Sequence, residues 1–295
     1  MTGTLTPARL RPDAADRWSR WSLVIASVLA TAAFCWPLVA AALPKDAQVA
    51  VPVLALALVP AVVVAVALSL DRAMHTATTV ALLGVLTAVG AAVRIAGTGV
   101  GGLEAVFIIL ILAGRAYGAR FGFLLGMLTI ALSSLLWGGI GPWTPFQVFA
   151  CGWVAAGAGL LPRLAGIGSA RTAARLEIAM LVAYGIVSSY LFGLLMNFWF
   201  WPFAVGGSNG LSYVAGAPIG ENLASFGVYS LVTSTLTWDT VRAITTTIGI
   251  LAIGPAALAA LRRAKVGRTR SNLVVAKVAS SGFEPLAGGR SSTGS

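Results

Sequence analysis

Charge is what this chain has least of. Only 10% of its 295 residues are Asp, Glu, Lys or Arg, against roughly a quarter in soluble domains. Most of the chain must therefore face lipid or other apolar helices. Acidic residues number 9 against 20 basic ones, and histidine occurs once, at His75. No HExxH, GxSxG or DDxxD-like cluster occurs, so the usual parts of an intramembrane hydrolase or metalloenzyme are missing. No GxxxxGK[ST] loop occurs either, which excludes ATP hydrolysis by that route. The expectation is a protein without catalysis, cofactor or metal of its own. Cys35 and Cys151, the only cysteines, lie in apolar runs without CxxC spacing and read as buried inert thiols. Nothing resembles a cleavable signal peptide: Met1 to Arg20 is polar, and the first apolar run is too long for an h-region.

What is present is hydrophobic sequence, 58% of the chain, with a mean hydropathy of +0.90. Apolar runs suited to spans lie at 22–43, 49–70, 76–96, 103–117, 119–137, 146–162, 176–204 and 239–262. The expected fold is all-α: a polytopic bundle of about eight transmembrane helices. Residues 1–20 form a tail, 21–75 a two-helix extension, 76–262 a six-helix core, and 263–295 a basic tail expected to be disordered. The 205–238 connection is too long for a turn. Within it, Glu221 to Thr235 is apolar enough for a short interfacial helix, or for a span of its own. The stretch Leu135-Leu136-Trp137-Gly138-Gly139-Ile140-Gly141-Pro142-Trp143-Thr144-Pro145-Phe146-Gln147 cannot continue a helix and predicts a tight connection between two spans.

The net charge of +11 does not point to nucleic acid, because the basic residues form no compact patch or amphipathic face. They sit in connections: Arg72, Arg115, Arg120, Arg163, Arg171, Arg175 and both tails. By the positive-inside rule these connections and both termini are cytoplasmic, in a multi-pass protein of the plasma membrane. The Gly-Pro-Trp loop and the 205–238 connection are then outside.

Most charged residues read as solvated loop residues. Arg94, Glu104, Asp239 and Arg242 do not, because the topology places them near outer span ends, where an ionisable group needs a partner or a wet cavity. Asp239 and Arg242, three apart, share a helical face and can pair. The pair either pins the last helix or lines an outward cavity. Asn197, inside a span, wants a hydrogen-bond partner. Trp199 and Trp201 suit an interfacial belt or the wall of a solute site. Trp143 and Gln147 of the loop, with Glu221 and Asn222, add polarity and rings to the same side. A stripe of small residues, Ala73, Ala77, Ala81, Gly84, Ala88 and Ala92, follows helical spacing on the third span and allows close approach of another helix.

From about Thr78 to Arg263 the chain resembles the substrate-binding S components of energy-coupling factor (ECF) vitamin transporters. The likeness rests on Ala81-Leu82-Leu83-Gly84-Val85-Leu86, on Leu112-Ala113-Gly114-Arg115-Ala116-Tyr117-Gly118, and on Gly122-Phe123-Leu124-Leu125-Gly126. It continues through Gly141-Pro142-Trp143-Thr144-Pro145-Phe146-Gln147 and Trp153-Val154-Ala155-Ala156-Gly157-Ala158-Gly159-Leu160-Leu161. The loop looks most like the cobalamin branch. The resemblance implies a six-helix core that captures a vitamin-like solute, cobalamin or a related corrinoid, from outside and performs no chemistry on it. It also implies partners: a transmembrane coupling subunit and two ATPase subunits, docked through an Ala-x-x-x-Ala pattern that Ala77 to Ala81 and Ala88 to Ala92 match. The implied site joins Trp143, Gln147, Asn197, Trp199, Trp201, Glu221, Asn222, Asp239 and Arg242. The two spans before residue 76 depart from that family's pattern. A stand-alone secondary transporter and a non-catalytic membrane scaffold remain the rival readings.

Overall fold

A computed structural model describes residues 14–41, 77–97, 104–164, 168–204, 210–214 and 216–281, with isolated helical positions at 53 and 57. The expected second span, 49–70, and Ala73 of the small-residue stripe lie outside the described residues. Every described element is helical: α1 (Ala14–Phe34), α2 (Trp36–Ala41), α3 (Ala77–Gly97), α4 (Val106–Tyr117), α5 (Ala119–Trp137), α6 (Thr144–Leu160), α7 (Ala170–Ala204), α8 (Ile219–Ser230) and α9 (Thr240–Ser281). A π-helical stretch, Leu231–Asp239, joins α8 to α9. Four helical segments are long and apolar enough to cross a membrane: Ala77–Gly97, Ala119–Trp137, Ala170–Ala204 and Ile219–Ala264.

The centre of the bundle is α4, apolar around its whole circumference and therefore buried. Phe107, Leu110 and Ile111 have no exposed surface. The α5–α6 hairpin packs against it, and its two helices against each other, through glycines, because a missing Cβ is the only way two helix backbones approach this closely. A Cβ on Gly114 would lie 1.9 Å from the Ala155 carbonyl oxygen, and one on Gly126 would lie 2.4 Å from that of Cys151. Gly138, at φ 75°, takes the left-handed conformation that ends α5. The Gly141 N–H then donates to Thr144 Oγ1 at 2.9 Å as α6 begins, so the Gly-Pro-Trp stretch is the tight connection its composition predicts.

The helices define two ends. The loop end carries the Gly-Pro-Trp connection and the start of α4. The basic end carries Arg115, Arg120, Arg163 and Arg262. Outward faces are apolar, with Val187, Leu191, Ile248 and Leu251 more than half exposed. In water this would be an aggregating surface; around a bundle of long apolar helices it is a lipid-facing perimeter.

Three boundaries differ from expectation. Helix begins at Ala14 rather than after residue 20. The basic tail expected to be disordered from residue 263 is helical as far as Ser281. The break expected near 239 is absent, since no proline or glycine separates Glu221–Thr235 from the last span. The chain instead widens into nine π-helical residues and runs on as one helix.

Candidate functional site

Arg242 is the hub of the loop end. Its side chain is 6% exposed, and the fold surrounds it with acceptors. Its Nη1 donates to Asp239 Oδ1 at 2.6 Å and to the Ser189 carbonyl at 3.1 Å. Its Nε donates to Glu104 Oε2. The rings of Phe192 and Phe107 lie 4.8 and 5.5 Å from its guanidinium carbon, within cation–π range. Asp239 is 1% exposed, and it fits only because position 193 is glycine: a Cβ there would lie 2.0 Å from the carboxylate.

The network continues outward through the π-helix. Asn197 Nδ2 donates to Ser230 Oγ at 2.9 Å and to Ser234 Oγ at 2.6 Å, and Ser234 donates to Asp239 Oδ2 at 2.9 Å. Thr240 Oγ1 donates to the Thr235 carbonyl at 2.7 Å and shares a hydrogen bond with Tyr190 at 3.1 Å. The i→i+5 winding explains the pattern, since it stacks Ser234 beneath Asp239 and Thr235 beneath Thr240. A 3.6-residue repeat would separate those pairs, so no α-helical face read from the sequence contains them.

A second polar group lies at the same end. Arg94 donates to Ser133 Oγ at 2.9 Å and to Gln147 Oε1 at 3.1 Å. The nine residues named for a solute site thus divide. Asn197, Asp239 and Arg242 form one hydrogen-bonded chain with Glu104, and Gln147 joins Arg94. Trp199 is buried and stacked on Phe146, with ring centroids 4.3 Å apart. Trp201 is buried with its indole N–H on the Leu211 carbonyl at 2.6 Å, and Asn222 clamps the Val214 backbone with two 2.9 Å bonds. Those three brace the loop end. Trp143 is 43% exposed on the connection, and Glu221 is exposed.

On α3, Ala77, Ala81, Gly84, Ala88 and Ala92 are all exposed, while Leu83, Thr87, Gly90 and Ala91 face inward. A Cβ added at Gly84 would meet nothing within 4 Å. The small-residue stripe therefore does not serve packing within the described chain.

The basic end holds an ion cluster that sequence reading missed, because its arginines look like ordinary loop charges. Arg115 Nε donates to Glu177 Oε1 at 2.7 Å, and its other nitrogens reach the Leu161 and Pro162 carbonyls at 2.7 and 2.9 Å. Arg262 shares the same Glu177 oxygen at 2.6 Å. A cleft of about 730 Å³ opens beside them, lined also by Tyr117, Arg163 and Leu164. Arg242 and Arg262 are about 30 Å apart along α9 at 1.5 Å per residue, one hydrocarbon thickness.

These features define a helical integral membrane protein with a buried ionic network toward one end. No family model, curated protein or solved structure matches the chain.

Proposed function

We propose that the protein is the substrate-capture subunit of an ECF-type importer, binding a vitamin-like solute at the loop end. The observation that carries this reading is the exposed stripe on α3. A lipid-facing helix gains by presenting large apolar side chains. Five small residues in register instead form a shallow track into which a coupling subunit's helix fits. The loop end supplies the composition of a solute site: rings beside a few placed polar groups, namely Asn197, Gln147, Arg94 and the one-third exposed Glu104 carboxylate. Cobalamin or a related corrinoid is the first solute to test. ATP hydrolysis belongs to the partner subunits, and the basic end faces the cytoplasm of a plasma-membrane protein.

The decisive experiment screens vitamins against the purified protein by thermal shift. A true ligand at a hundred times its dissociation constant adds about 2.7 kcal/mol. Ala81→Trp and Ala88→Trp should keep that shift and lose co-purification with a coupling subunit. If no vitamin shifts the protein and both variants co-purify normally, the capture reading fails. Orientation is tested separately: a cysteine at Gly139 labels from outside, and one at Ser169 only after permeabilisation.

A further inference from the structure

Among the described residues, one wall of the bundle is open. Helix α1 is held to the core by one face, Ala26, Ala30, Ala33 and Phe34, which are buried with Trp36 at the start of α2, and Trp36 Nε1 donates to the Trp199 carbonyl at 2.9 Å. Its neighbouring face, Val24, Val28 and Thr31, with Cys35 in the turn that follows, stands off from α5 and α6 across a groove of about 970 Å³. The opposite wall is Phe123, Trp153, Ala156 and Leu160, and Arg120 lies at the basic end.

The few polar atoms along the groove are already engaged. Thr31 Oγ1 donates to the Ser27 carbonyl at 2.7 Å, and Ser27 Oγ accepts from Trp153 Nε1 at 3.0 Å. Water entering it would find few partners, and apolar cavities without partners stay dry. In a bilayer the material that fills such a space is hydrocarbon. The groove's length supports this: Val24 to Phe34 spans about 15 Å along α1, one leaflet's half of the roughly 30 Å hydrocarbon core. The mouth at the basic end is electropositive. Arg120 stands in the first turn of α5, whose N-terminus carries no side-chain cap, and both features favour an anion.

We infer that this groove is a binding site for one anionic phospholipid, its acyl chains against α1, α5 and α6 and its phosphate at Arg120. The lipid completes the packing of α1 onto the core, and the site stands independently of any solute captured at the loop end.

Native mass spectrometry of the protein extracted in mild detergent should show one phospholipid retained per chain. After delipidation, phosphatidylglycerol should raise the melting temperature and phosphatidylcholine should do so much less. Arg120→Gln should abolish that preference while hydrocarbon binding persists. The Ala32→Trp, Ala156→Trp double variant should reduce retained lipid at least tenfold. Because the double variant places bulk beside the core, its helix content and monodispersity are checked first; if it fails them, competition between the two lipids on the delipidated parent decides. Absence of retained lipid, or retention unchanged in a folded double variant, overturns the site. Equal response to the two lipids overturns its anionic character.

Discussion

The two ion clusters of this protein use the same chemistry and differ in how far water reaches their members. At the basic end, Arg115 is 6% exposed and Glu177 14%, but the second cation on Glu177, Arg262, is 47% exposed, and backbone carbonyls of Leu161 and Pro162 satisfy the rest of Arg115. At the loop end, Arg242 and Asp239 are enclosed by protein, and two phenyl rings replace water around the guanidinium. An exposed ion pair contributes little and costs little. A buried one contributes little net stability, yet breaking it is expensive, because a charge is left with nothing to answer it. The basic cluster therefore reads as a clamp at the membrane edge. The loop-end network is a commitment retained despite its desolvation cost, which is the usual mark of function inside a membrane.

Mutations should expose this asymmetry in order. Arg242→Ala strands Asp239 and should cost about 3–5 kcal/mol, read by denaturant titration in mixed micelles; the Asp239→Asn, Arg242→Gln double variant should cost less than half as much, since no buried member of the pair keeps a charge. Gly193→Ala drives a methyl into the Asp239 carboxylate and should cost about 1–3 kcal/mol by overpacking, with Ser189, Ser234 and their partners disturbed in amide exchange. At the other end, Glu177→Gln removes one charged acceptor from Arg115 but leaves two carbonyls, so a loss of about 1–2 kcal/mol is expected in the same titration. Glu221→Gln touches neither cluster and should stay within about 0.5 kcal/mol of the parent. A Glu177→Gln loss as large as that of Arg242→Ala would erase the distinction between the two ends.

How much of this was legible follows from which regularities have a sequence period. Spans α4 to α7 could be read because apolar runs bounded by glycine, proline and arginine carry their own limits. The Asp239–Arg242 pair was legible because three residues on an α-helix share a face. The Ser234–Asp239 and Thr235–Thr240 pairings were not, because their five-residue spacing belongs to a π-helix that nothing in the sequence announces. The end of the 205–238 connection was misjudged for the same reason: Glu221 to Thr235 reads as a separate short helix or span, whereas π-winding carries it into the last helix, with Asn197 and Tyr190 bonding to it from α7. Arg115 was read as a loop charge because its partner Glu177 is 62 residues away, beyond the reach of any local pattern. Trp199 and Trp201 show the opposite limit. Their composition suits a belt or a pocket wall, yet the fold spends them on packing.

One measurement bears on the central claim most directly: binding of the identified vitamin to the parent, to Asn197→Ala and to Glu177→Gln, each reconstituted in nanodiscs. Asn197 belongs to the loop-end network and Glu177 to the basic-end clamp. Asn197→Ala should lose at least tenfold in affinity while remaining monodisperse, and Glu177→Gln should bind like the parent. Equal binding by Asn197→Ala and the parent, or a matching loss in Glu177→Gln, would contradict a solute site at the loop end.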